Sequence, residues 1–115
     1  MRRHTTLSTV VAAALVAAAG ALHAAEGDPA AGKGKTSMCI GCHGIGGYKT
    51  AFPAVYSVPK LGGQHAAYIV KALQAYKTGA RSHPSMRAIA ATLSDKDMAD
   101  LAAYYATDAA KSAAK

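Results

Sequence analysis

Cys39-Ile40-Gly41-Cys42-His43 places two thiols and an imidazole within five consecutive residues, the attachment signature of a c-type haem. Residues three apart on a helix share a face, so Cys39 and Cys42 can each bond to one vinyl group of the same porphyrin. His43, one residue on, then comes against the iron as proximal ligand. These are the only two cysteines in the chain, so no disulfide framework competes for them. Three rival chemistries fit less well. A thioredoxin-like redox pair expects strands alternating with helices, and no such alternation is present. A structural zinc site needs four ligands, and His65 and His83 do not supply a second Cys/His pair. A disulfide across three residues would constrain little chain.

Three side chains downstream are candidates for the iron's sixth position: His65, His83 and Met86. A thioether opposite imidazole raises the potential, whereas His83 would give bis-histidine iron with a lower one. Met86, Ile89, Ala90 and Leu93 also fall on helical spacing, so Met86 could instead begin a core stripe. Met38 adjoins the attachment site and is poorly placed to ligate. Met98 belongs to the inner face of the last helix.

The elements that must position these groups read as helix, long loop, helix, loop, helix. Asp28 and Pro29 form an N-cap and N1 pair that opens a helix running through Lys33, Lys35 and Met38 into the haem motif. Gly32 and Gly34 weaken that helix, which is easier to understand if another helix crosses closely there. Residues 44–63 hold five glycines and two prolines and read as an extended loop covering the edge near His43. A second helix spans about 64–78, with Ile69, Ala72, Leu73 and Tyr76 as its apolar stripe and Gly79 as its C-cap. Ser94 and Asp97 resemble a capping box opening a third helix. Its inner face is Met98, Leu101, Ala102 and Tyr105, with Lys96, Asp100 and Thr107 opposite. Residues 109–115 form an Ala/Lys tail. No strand signal is present, and the class is all-α.

Residues 1–25 have the form of a cleaved export signal, with Arg2 and Arg3 before an apolar stretch at 10–22 that is short for a membrane span. Residues 26–115 then form one domain of roughly 90 residues, small enough that a haem wedged between helices would supply much of its missing apolar contact. The 115-residue chain has 13 Lys and Arg against 6 Asp and Glu, a formal charge of +7. Losing Arg2 and Arg3 lowers this to +5. A modestly basic surface suits docking on an acidic partner. Nucleic acid is excluded as the partner by the scattering of the lysines and by export.

Several blocks give the chain a family resemblance. They are Cys39-Ile40-Gly41-Cys42-His43-Gly44, Pro59-Lys60-Leu61-Gly62-Gly63-Gln64-His65-Ala66-Ala67-Tyr68 and Leu73-Gln74-Ala75-Tyr76-Lys77-Thr78-Gly79-Ala80-Arg81. Met86, Ile89-Ala90-Ala91-Thr92-Leu93-Ser94-Asp95 and Leu101-Ala102-Ala103-Tyr104-Tyr105 complete the set. The chain resembles a class I cytochrome c, of the kind of one cytochrome c4 domain or a short cytochrome c553. The resemblance implies a small fold of three main helices and long loops around one covalent haem c. It implies that Met86 is the second axial ligand, and that the other N–H of His43 goes to a loop proline carbonyl, Pro59 by alignment with Pro53 as the fallback. Tyr68, Tyr76 and Arg81 fall where haem carboxylates or the ring edge could be contacted.

The function implied is that of a non-enzyme: a periplasmic electron carrier of a respiratory chain, cycling Fe(III)/Fe(II) between larger redox proteins. Lys49, Lys60, Lys71, Lys77, Arg81 and Arg87 are candidates to steer docking on acidic surfaces. No stable membrane insertion is expected after signal cleavage. The alternatives are a haem subunit of a dehydrogenase or oxidase complex, or a five-coordinate haem peroxidase or gas sensor.

Overall fold

Asp28 caps the first helix as its sequence predicts: its Oδ1 accepts from the Ala30 N–H at 2.8 Å, and Pro29 occupies the first helical position. This is a computed structural model describing residues 26–52, 54–107 and 110, so the expected export segment lies outside the described residues. Among the described residues five helices are placed: α1 (Pro29–Gly34), α2 (Ser37–His43), α3 (Ala66–Thr78), α4 (Pro84–Ala91) and α5 (Asp95–Tyr105). A minimal antiparallel ladder joins β1 (Lys49–Thr50) and β2 (Tyr56–Ser57), pairing Lys49 with Ser57 and Thr50 with Tyr56. No helix among the described residues is long and apolar enough to cross a membrane.

The three expected helices are present, with corrections. The first is broken between α1 and α2, where Lys35 N–H turns back to the Gly32 carbonyl and the Thr36 hydroxyl to the Lys33 carbonyl. Two glycines in the last three residues of α1 weaken the i to i−4 ladder, and a local hydroxyl bond offers the backbone an alternative. The loop before the last helix contains α4, which starts at His83-Pro84 much as α1 starts at Asp28-Pro29. The ladder lies inside the segment expected to be loop alone.

α3 ends where Gly79 adopts a left-handed φ of 85°, a conformation glycine takes without steric cost. The Lys77 ammonium then donates to the Leu93 carbonyl, tying the end of α3 to the turn before α5. That turn is closed by the expected capping box: Ser94 Oγ accepts from Asp97 N–H at 3.1 Å, and Asp97 Oδ2 accepts from Ser94 N–H at 3.0 Å.

α5 is the most buried element. Met98, Leu101, Ala102 and Tyr105 join Ile69, Leu93 and Ala110 in the core. Asp100, expected on the outer side, is fully buried instead, because α1 crosses α5 there and covers it. A Cβ on Gly32 would stand 2.0 Å from the Asp100 carbonyl oxygen, so only glycine allows this approach, whereas Gly34 has open space around it.

Asp100 is held by three donors. Asp28 N–H lies 2.8 Å from Oδ1, Lys35 Nζ 2.7 Å from Oδ2 and Lys96 Nζ 3.0 Å from Oδ1. Lys35 also reaches Asp97 Oδ1 at 2.6 Å. The Lys35 ammonium, then the Asp28 N–H and Lys96, keep the Asp100 carboxyl well below the usual carboxylate range. Lys35 and then Ser94 do the same for Asp97, while Asp100 and Asp97 push Lys35 up.

The unfolded chain binds protons at these carboxylates first. Their contribution is therefore complete above about pH 4 and is lost as acid approaches the depressed folded values. Lys35 contributes fully below its unfolded value near 10.4 and loses that contribution only in stronger alkali. An Asp100→Asn variant is expected to be less stable than the parent at pH 7, with most of the gap gone by about pH 2. Urea unfolding at both pH values checks this; a gap that does not narrow would contradict it.

Candidate haem site

Cys39 and Cys42 sit one turn apart on α2, whose last residue is His43. All three border a cavity of about 570 Å³, a size suited to an organic ligand or cofactor. Its walls come from the loop and from α2, α3, α4 and α5. Tyr56, Val58, Pro59 and Leu61 contribute from the loop, Ile69, Ala72, Leu73 and Tyr76 from α3, Met86 and Ile89 from α4, and Leu101 and Tyr105 from α5. The apolar stripe expected on α3 therefore divides its work: Ile69 is buried in the core, while Ala72, Leu73 and Tyr76 are half-buried and face the cavity. Cys39 is packed against the core, so core and site are one continuous body.

The His43 ring is oriented by the loop. Its Nδ1 lies 2.7 Å from the Pro59 carbonyl oxygen. A carbonyl only accepts, so Nδ1 carries the hydrogen and Nε2 keeps its lone pair for a metal. The carbonyl is itself placed by bonds on either side: Val58 N–H donates to the Tyr48 carbonyl at 2.9 Å, and Gly63 N–H to the Tyr105 carbonyl at 2.8 Å. Pro53 lies outside the described residues.

Of the three candidates for the position opposite, two border the cavity. Met86 is half-buried in the first turn of α4. Its N–H donates to His83 Nδ1 at 3.4 Å, so His83 is the N-cap of α4 and not an exposed loop residue. The His83 ring packs against Tyr56, with centroids 5.1 Å apart, and edge-on to Tyr76. His65 is the exposed residue preceding α3 and lies away from the cavity. Met98 is fully buried in the core. Met38 borders the cavity but is half-exposed.

Tyr68, Tyr76, Arg81 and Lys60 also border the cavity, and the Arg81 guanidinium lies 4.7 Å above the Tyr76 ring, within cation–π range. Among the described residues no three of His, Cys, Asp and Glu gather as a metal site. Two thiols on one helical face, an imidazole with Nε2 left to accept, a thioether and apolar walls around one cavity fit a covalently held haem. Sequence reasoning missed Tyr105 as part of this site. It reads as core from its helical spacing, and nothing in that spacing shows where its hydroxyl points.

Known proteins resemble this chain over most of its described residues. The family model described as Cytochrome c matches residues 30–107. The chain is 42% identical over 88 residues to cytochrome c4 of Pseudomonas aeruginosa, covering 76% of this chain and 41% of that protein. It is 42% identical over 84 residues to cytochrome c-554(548) of Halomonas halodenitrificans, covering 70% of this chain and 96% of that protein. A thiosulfate dehydrogenase electron acceptor of Stutzerimonas stutzeri is 42% identical over 65 residues, covering 56% of this chain and 29% of that protein. The chain thus spans under half the length of the cytochrome c4 relative and almost all of cytochrome c-554(548).

Proposed function

The chain belongs to the cytochrome c family, with the fold of a class I c-type cytochrome, and on that footing we propose that it is a monohaem carrier of single electrons between larger redox proteins. The observation that carries this reading is the shared border of one apolar cavity by Cys39, Cys42, His43 and Met86, with His43 Nδ1 committed to the Pro59 carbonyl.

In this reading Cys39 and Cys42 would hold the haem through thioethers, and His43 and Met86 would ligate its iron. A haem bound there would accept and release one electron at a time. The Pro59 carbonyl fixes the His43 ring and raises its basicity as a ligand. Ile69, Leu73, Ile89 and Leu101 keep water from the cavity, and a low dielectric there favours the less charged redox state. With both His43 and Met86 on it, the iron would have no open position for substrate, which is why the carrier is preferred to a peroxidase or gas sensor.

Residues 1–25 act as the export signal in this reading and place the domain 26–115 in the periplasm of a respiring bacterium. Lys60 and Arg81 at the cavity, with Lys49, Lys71, Lys77 and Arg87, steer it to acidic docking surfaces. The name of the Stutzerimonas stutzeri relative makes a dehydrogenase a reasonable donor.

Expression in a host that attaches haem is expected to give a coloured, exported protein heavier than its processed chain by one haem. Its electron transfer to an acidic redox protein should slow as salt rises. A colourless product with the mass of the bare chain would end the proposal, and rates indifferent to salt would remove the steering.

A further inference from the structure

Tyr105 carries a hydroxyl for which the electron-carrier reading supplies no role. The residue is 8% exposed, and its ring packs edge-on against Tyr104 with centroids 5.2 Å apart. Its backbone carbonyl accepts from Gly63 N–H. The hydroxyl oxygen is buried and has no hydrogen-bond partner among the described residues. Such a group is costly to leave unpaired, whereas a phenyl ring would fill the same apolar space without that cost. Tyr105 and Cys39 both border the cavity. Cys39 packs against the core cluster that holds Tyr105, and each group acts on the other: burial pushes the thiol up and the hydroxyl opposes it, while burial and then Cys39 push the phenol up.

The chemistry of Cys39 changes with attachment. A free thiol can donate or accept weakly, but a thioether sulfur has no hydrogen and can only accept. Resting on the haem attachment proposed above, we propose that the Tyr105 hydroxyl donates a hydrogen bond to the Cys39 sulfur once that sulfur carries the haem. Tyr105 is then a positioning residue. It holds the thioether in one orientation and draws electron density from the porphyrin edge, which favours the reduced state. One bond satisfies the buried phenol and tunes the potential.

The test uses holoprotein and its Tyr105→Phe variant, with mass and absorbance first showing one covalent haem in each. If the parent binds none, the haem reading fails and not the hydrogen bond. With haem in both, the reduced-to-oxidised ratio at fixed solution potential is expected to be about threefold lower in the variant, a shift of about 30 mV. Resonance Raman supplies the second readout. After the parent is unfolded and refolded in deuterated buffer, its carbon–sulfur stretching modes should shift, and those of Tyr105→Phe should not. Equal potentials with deuterium-insensitive modes would overturn the proposal. So would deuterium sensitivity confined to haem carboxylate modes, which would assign the hydroxyl to a different acceptor.

Discussion

A Gly32→Val variant is expected to lose about 3–5 kcal/mol of stability, at the upper end of what single substitutions cost. The Cβ alone would sit 2.0 Å from the Asp100 carbonyl oxygen and 2.6 Å from its carbonyl carbon. These are backbone atoms in the middle of α5, so no rotamer change relieves the clash, and α1 must move away. Moving it also pulls Asp28 and Lys35 from the Asp100 carboxylate, which is fully buried and would keep fewer partners. A domain of this size has little stability in reserve, so the variant should be largely unfolded without haem and loosened with it. Gly34→Ala is the matched control. It has open space, lies in the same short helix, and should be neutral or stabilising by up to about 1 kcal/mol. Denaturant unfolding of the pair checks both. A Gly32→Val protein within about 1 kcal/mol of its parent would mean that α1 and α5 do not cross in close backbone contact.

The contrast between those two glycines shows where sequence reasoning stops. Low helix propensity marks both positions equally and suggests a close crossing somewhere near them. Which glycine faces the neighbour depends on the rotation of α1 about its axis, and six residues are too few to reveal a face. Asp100 is a related case. Its position opposite Met98 and Leu101 puts it on the polar side of α5, and a single amphipathic stripe implies that this side meets water. α5 is covered on two sides, by the core and by α1, so its charged residue is buried with partners supplied from α1 and from its own i−4 lysine. Long-range pairing of this kind leaves no local trace.

Local rules performed best where the chain has local chemistry. The Ser94–Asp97 box, the left-handed Gly79 and the four inward residues of α5 all follow from spacing and side-chain type. α4 escaped because histidine is an uncommon cap, although Pro84 at the first helical position carried the same signal as Pro29. At the site, Cys39, Cys42 and His43 are legible from spacing alone. The nearness of Pro59 to His43 is not: it comes only from the family resemblance, because the two lie sixteen positions apart across a mostly irregular segment. The Tyr105 hydroxyl is invisible at this level, since helical spacing identifies a buried ring and not the direction of its polar atom.

Met86→Leu separates two roles that its spacing leaves entangled. Met86 begins the apolar face of α4 and also borders the haem cavity, so truncation to Ala would confuse a lost ligand with a lost contact. Leucine keeps nearly the same volume and typically costs less than about 1.5 kcal/mol at a packed position, but offers the iron no sulfur. As the proposed sixth ligand, Met86 stabilises Fe(II) through its soft thioether. The holoprotein carrying Met86→Leu is therefore expected to lose the long-wavelength sulfur-to-iron absorbance of the ferric state. Its potential should fall by an amount on the order of 0.1–0.3 V, a fraction of the roughly 0.8 V over which axial ligands move haem. Thermal stability without haem should change little. His83→Ala supplies the counterpart. If His83 were the ligand, that variant would show the large fall and Met86→Leu would keep its potential. With Met86 as ligand, His83→Ala costs the contact to the Met86 N–H and the packing on Tyr56 and Tyr76, and its ferric spectrum should stay close to the parent's. If Met86→Leu and His83→Ala both keep the parent's spectrum and potential, neither side chain is on the iron and the five-coordinate reading reopens.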